Sequence, residues 1–241
     1  MAGIEYLSPE GLRVDGRRPH ELRKIQCQLG VFQQADGSAF LEQGNTKILA
    51  TVYGPHDVSR RSQALHDRVY INCEYSMATF STSERKRRPK GDRLSIEISQ
   101  ALRQTFEAAV LTELFPQSKI DIYVQVLQSD GGNRSACINA ATMALIDAGI
   151  PMRDYVCASS ASFIEDTPML DLNYLEQTSG GPDLTVATLP KSGKIVLMQM
   201  DSRLHTDSLS KVLDIATQGC KRVHTILDTV VKKNLETSFA V

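Results

Sequence analysis

KIDIYVQVLQSDGGNRSACINAATMALIDAGIPMRD, residues 119–154, changes period in the middle. Up to Gln128 the apolar positions alternate (Ile120, Ile122, Val124, Val126), the period-2 pattern of a half-buried strand. Asp130-Gly131-Gly132 then breaks the extended run. Beyond it Ala136, Ala140, Met143 and Ala144 recur at three- and four-residue steps, which predicts a helix with one apolar face that Gly149 and Pro151 end. A strand, a glycine turn and a helix start together aim free backbone N–H groups and the positive end of the helix dipole at one point, a suitable place for an anion. Arg134 and Ser135 fall in the first helical turn and add a charge and a hydroxyl. The same pattern is also that of an ordinary strand-to-helix connection in an α/β core, because Gly-Gly turns are common.

The rest of the chain frames this unit. With 241 residues, 41% hydrophobic and 23% charged, it has the composition of one globular domain over residues 1–241 with a sizeable core. Its net charge of −1 means that an acidic partner must be met by a local basic patch. Five cysteines without a C-x-x-C pair fit reduced thiols, and five histidines show no zinc spacing. No apolar run approaches the ~18 residues of a membrane span, and no signal peptide is expected.

Residues 1–24 read as an irregular lead-in, either a solvated arm or a clamp on a neighbouring surface. From 25 to 54 the chain reads as antiparallel strands, with Ala35-Asp36-Gly37-Ser38 turning between GVFQQ and AFLEQ. A polar loop carries Arg60 and Arg61, and a strand VYINCEYS follows. Next comes the densest charge in the chain, ERKRRPKGDR, with Arg85, Lys86, Arg87, Arg88, Lys90 and Arg93. Such a run fits a solvated loop, a nuclear-localisation segment or a phosphate-backbone contact. Residues 94–114 have helical periodicity, YVCASSASFI and KIVLMQM are strands, and a long apolar stripe from Leu209 to Val230 predicts a terminal core helix. Two strand-then-helix halves, 25–115 and 119–150, are expected.

VDGRRP, ADGSAFLEQGNTK, ATVYGP, DGGNRSACINAATMALIDAGIPMRD and LDLNYLEQTSGGPDLTV, in this order, resemble the RNase PH family of phosphorolytic 3′→5′ exoribonucleases. The wording is nearest the branch that builds the eukaryotic exosome ring. The resemblance implies an α+β, RNase PH-like fold of the ribosomal protein S5 domain 2 type: two β-α halves, mixed sheets and a long C-terminal helix. It implies a hetero-hexameric ring with other RNase PH-like subunits around a channel for single-stranded RNA. RNA-binding cap subunits, hydrolytic nucleases, and a nuclear, nucleolar and cytoplasmic location are also implied, with no membrane.

In active members inorganic phosphate attacks the 3′-terminal phosphodiester and releases a nucleoside diphosphate. The chemistry requires a phosphate cradle, cations along the RNA, and carboxylates that hold Mg²⁺ or move a proton. The family's phosphate site falls on Gly132, Asn133, Arg134, Ser135 and Arg93. Its pore arginines fall on Arg60 and Arg61, and Arg85, Lys86, Arg87 and Arg88 extend the RNA-facing surface. Three positions depart from the active pattern. Asn133 stands where active members have Thr or Ser, Leu94 where they have a second Arg, and Gln177 where they have the first of two aspartates, the second being Asp183. An amide brings no charge to Mg²⁺ and accepts no proton near neutral pH.

The expectation is therefore a ring subunit that guides RNA with an impaired catalytic site, in which Asp183 is a remnant. Mg²⁺ and phosphate would matter only if the site were active. The alternatives are a working phosphorolytic exoribonuclease, in which Glu176 or Asp171 joins Asp183, and a homo-hexameric transfer-RNA-trimming enzyme. Read as extended, the 170–186 segment points Glu176 away from its neighbour at 177.

Overall fold

The computed structural model describes residues 6–58, 65–85 and 91–239. Arg60, Arg61, Lys86, Arg87 and Arg88 lie outside them. Among the described residues the strands are β1 (Ile25–Leu29), β2 (Gly37–Gln43), β3 (Thr46–Asp57), β4 (Tyr70–Met77), β5 (Ser118–Gln128), β6 (Cys157–Ile164), β7 (Thr167–Leu170), β8 (Asp183–Leu189) and β9 (Lys194–Met200). The helices are α1 (Arg93–Ala109), α2 (Asn133–Asp147), the single turn α3 (Tyr174–Gln177) and α4 (Thr206–Phe239).

The strands form two sheets, ordered β1-β2-β3-β5-β4 and β7-β6-β8-β9. The first is mixed, because β4 and β5, joined through α1, run parallel. The second is antiparallel throughout. Helix α2 packs on β2, β3 and β5 of the first sheet and on β6 of the second, while α4 covers β6 and β8. The alternation seen in the sequence marks the core face: Ile120, Ile122, Val124 and Val126 are all buried beside Leu41, Ile48, Ala50 and Ile71. Each of the buried Ile, Leu and Val side chains contributes roughly 1.5–3 kcal/mol of burial free energy.

Four local expectations are corrected. The strand GVFQQ does not form: β1 ends at Leu29, Gly30 turns the chain at φ 66°, and the loop is tied down where the Gly30 N–H donates to Asp147 Oδ2 on α2 (3.2 Å). Helix α1 stops at Ala109, not at 114, because Val110 turns extended and bridges Met152 while the Leu111 N–H donates to the Pro151 carbonyl. The division into 25–115 and 119–150 is also wrong, because β5 inserts between β3 and β4 and completes the first sheet.

The fourth correction concerns α2, which has no solvent face over most of its length. Every residue from 135 to 145 is buried, since a sheet lies on either side. Its polar members are paired: Asn139 exchanges both amide hydrogen bonds with the Ala158 backbone, and Thr142 Oγ1 donates to the Ile138 and Val156 carbonyls. The small residues of α2 permit close approach. A Cβ on Gly37 would lie 2.3 Å from the Ala144 carbonyl oxygen.

The lead-in is a clamp on its own chain. Arg13 is fully buried and its guanidinium holds Glu176, also fully buried, and the Leu170 and Asp171 carbonyls. Arg23 pairs with buried Asp171 at 2.7 Å.

Candidate functional site

Strand β5 ends at Gln128, and Gly131 and Gly132 turn the chain at φ 80° and 63° into α2. Both values lie in the left-handed region that favours glycine. No side chain among the described residues caps this helix, so the N–H groups of Asn133, Arg134 and Ser135 lack intrahelical partners. The turn and the first two residues of α2 border a cleft of about 410 Å³ between the two sheets, whose lining includes Leu94, Asn133, Arg134, Gln177, Asp183 and Asp201.

Each sequence-derived site residue among the described ones has a definite place. Gly132, Asn133 and Arg134 line the cleft. Ser135 does not: it is completely buried, and its hydroxyl donates to the Gly132 carbonyl at 2.9 Å. Arg93 opens α1 with an exposed side chain outside the cleft lining, whereas its neighbour Leu94 lies within it. Arg85 is exposed, directly after cleft-lining Glu84. The three departures from the active pattern, Leu94, Asn133 and Gln177, all face this one cleft.

Gln177 and Asp183 meet: the amide Nε2 donates to Asp183 Oδ2 at 2.7 Å. The other oxygen, Oδ1, is buried without a partner among the described residues, as is Asn133 Oδ1, whose amide nitrogen donates to Ser129 Oγ at 2.7 Å. Burial, and secondly the Asp201 carboxylate, push the Asp183 carboxyl above the usual range against the Gln177 hydrogen bond and Arg134.

Glu176 and Asp171 do not reach this place. The segment around Glu176 is the helical turn α3, not a strand, and Glu176 closes a capping box with Asn173 while pairing with Arg13. Asp171 lies under Arg23. Burial raises its carboxyl, but the Arg23 charge and hydrogen bonds outweigh this and hold it below the ordinary value.

Asp201 is a site residue that sequence reasoning missed. Arg134 Nη1 donates to both its carboxylate oxygens (2.8 and 3.0 Å), and Nη2 donates to Glu97 at 3.2 Å. Its only signal is a position just past the strand KIVLMQM, whose end pairs with β8 at Leu184. Among the described residues no group of three or more His, Cys, Asp or Glu side chains is placed to hold a metal ion, and in the cleft's donor set Gln177 turns its N–H to Asp183 while Asp201 is held by Arg134. That set does not fit Mg²⁺, which prefers carboxylates in a near-octahedral shell.

Two family models match the chain: 3′ exoribonuclease family, domain 1, over residues 21–151, and domain 2 over 154–219. Exosome complex component RRP41 of Mus musculus is 62% identical over 237 residues, 98% of this chain and 97% of that protein. The component Rrp41 of Methanopyrus kandleri is 46% identical over 218 residues, 90% of this chain and 91% of that one. Among solved structures, rice Rrp46 superposes with a TM-score of 0.82 at 23% identity, covering 91% of this chain and all of that one. The Archaeoglobus fulgidus exosome, described with RNA bound to the active site, gives 0.78 at 22%, covering 90% of this chain and 92% of that one. At such identities the superpositions bear on fold alone, and they agree with the two-sheet architecture. The sequence matches run nearly end to end, and on them the chain belongs to the 3′ exoribonuclease family of RNase PH proteins.

Proposed function

We propose that the chain is a core-ring subunit of an RNA exosome that binds and guides single-stranded RNA, with a phosphate cradle but without useful phosphorolysis of its own. The observation that carries this is the Gln177–Asp183 hydrogen bond, which puts an amide where the pattern of active members has a carboxylate. An uncharged amide neither strengthens Mg²⁺ binding nor accepts a proton. Arg134 and the uncapped start of α2 support the cradle. On this reading the partners are other RNase PH-like subunits in a hetero-hexameric ring, RNA-binding caps and hydrolytic nucleases. The location is nucleus, nucleolus and cytoplasm. Arg60, Arg61 and the 85–88 run supply backbone contacts to RNA. Replacing Arg60 and Arg61 with Ala weakens threading equally for all sequences and reduces the salt slope by about 0.7 for each phosphate left without its arginine.

One observation favours the runner-up, an active phosphorolytic enzyme. Asp201 brings a second carboxylate close enough to raise the Asp183 carboxyl. A single assay separates the readings: phosphate-dependent release of nucleoside diphosphates from single-stranded RNA by the assembled ring, wild type against Gln177→Asp/Asn133→Thr/Leu94→Arg. We expect a silent wild type and an active triple variant, with little gain from the single changes because the positions act as a unit. Phosphorolysis by the wild type that Asp183→Asn abolishes would establish the runner-up instead.

A further inference from the structure

The glycine turn before α2 carries no side chains of its own, so something else sets the direction of its peptide groups. We propose that Arg23, acting with Thr46, is the positioning residue of the phosphate cradle. This inference rests on the cradle reading above and adds the residues that aim it.

Arg23 comes from the lead-in, 107 and 108 positions before the carbonyls it holds. Its Nη1 donates to the Asp130 carbonyl at 2.8 Å and its Nη2 to the Gly131 carbonyl at 3.2 Å. Thr46 Oγ1 donates to the same Gly131 carbonyl at 2.9 Å and itself accepts from Arg23 Nη1 at 3.1 Å. In a planar trans peptide the N–H points opposite to the carbonyl. Pinning the 130 and 131 carbonyls inward therefore turns the Gly131 and Gly132 N–H groups outward, and Gly132 lines the cleft.

The role is directional more than electrostatic. The Arg23 charge is matched by Asp171, which accepts from Nη2 at 2.7 Å and from the Arg23 backbone N–H at 2.8 Å. The planar fork nevertheless reaches Asp171, Thr46 and two carbonyls at once, which an ammonium cannot do. The side chain is only 6% exposed, so its geometry is held by packing. Gly132 is part of the same fit, since a Cβ there would lie 2.8 Å from Arg23 Nη2.

The experiment is a titration of the ¹⁵N-labelled full chain with inorganic phosphate, following the amides of residues 131–134, in wild type, Arg23→Lys, Thr46→Val and Gln43→Leu. Gln43 is the control: it donates to Asp171 Oδ1 at 2.9 Å, so it belongs to the same ion-pair network, yet no hydrogen bond among the described residues joins it to the turn. Expected are saturable shifts in the wild type, about tenfold weaker phosphate binding in Arg23→Lys and Thr46→Val with cooperative melting retained, and unchanged affinity in Gln43→Leu. Should Arg23→Lys fail to fold, Thr46→Val decides. Unchanged affinity in Thr46→Val, or an equal weakening in Gln43→Leu, would overturn the positioning role and leave the cradle standing. Absence of any saturable shift in the wild type would overturn the cradle reading, and this proposal with it.

Discussion

At Asp183, burial and a neighbouring carboxylate act in the same direction, and both disfavour the charged form. A carboxyl whose pKa is higher in the folded chain than in the unfolded one costs stability when ionised. That cost is present above its folded value and vanishes below the unfolded value of about 3.9. Asp183→Asn is therefore expected to raise the thermal midpoint at pH 7 and to lose the gain as the pH falls through the carboxylate range, which parallel melts at about pH 7 and about pH 3.5 measure. Asp171 has the opposite sign. Its carboxyl is held below the ordinary value, so its contribution is full above about pH 4 and is lost as the pH falls towards the folded value. Removing Arg23 leaves buried Asp171 with only the more distant Arg17, whose Nη1 lies 3.8 Å from Oδ2, as a cation among the described residues, and Arg23→Ala is expected to cost about 3 kcal/mol in denaturant unfolding, unlike Arg23→Lys.

The elements that meet at the cleft are brought together largely by α2, which packs on β2, β3 and β5 of the first sheet and on β6 of the second. Its close approach to β2 depends on Gly37, where a Cβ would strike the Ala144 carbonyl and the Ala148 nitrogen at 2.3 and 2.4 Å. Both are backbone atoms at the C-terminal end of α2, so relief requires moving the helix. Gly37→Ala is expected to destabilise by about 3 kcal/mol, at the upper end of overpacking effects, and to shift the amides at the start of α2. Unchanged stability would mean that helix and strand separate without cost.

Across the whole molecule, the segment before β1 joins parts that are distant in sequence. Arg13 reaches α3, the Pro19 carbonyl accepts from the Leu170 N–H, and the His20 carbonyl accepts from Arg222 on α4. Arg23 reaches the glycine turn. Deleting residues 1–17 leaves Glu176 buried without its guanidinium, for which a destabilisation of about 3–5 kcal/mol is expected. The measurement is urea unfolding of the truncated chain. A midpoint equal to that of the full chain would show the strap to be dispensable.

Residues 119–154 by themselves determined a strand, a glycine turn and a helix start, because period-2 alternation, a Gly-Gly break and helical spacing are local properties. The ordered motifs pointed to the RNase PH fold and to Leu94, Asn133 and Gln177 as departures, and the structure turns all three into one cleft. Local signals did not show that α2 would be enclosed on both sides, that β5 would enter the middle of the first sheet, or that α1 would end early against Met152. These outcomes depend on which surfaces meet after the chain crosses over. Asp201 was equally hidden: 67 positions separate it from Arg134, and only the pairing of β9 with β8 brings its carboxylate to that arginine. Glu176 looked available in sequence beside Gln177, yet the α3 turn and Arg13 bury it. Local patterning specifies backbone conformation, but the partner of a charged side chain is chosen by burial and by strand register, which exist only in the folded chain.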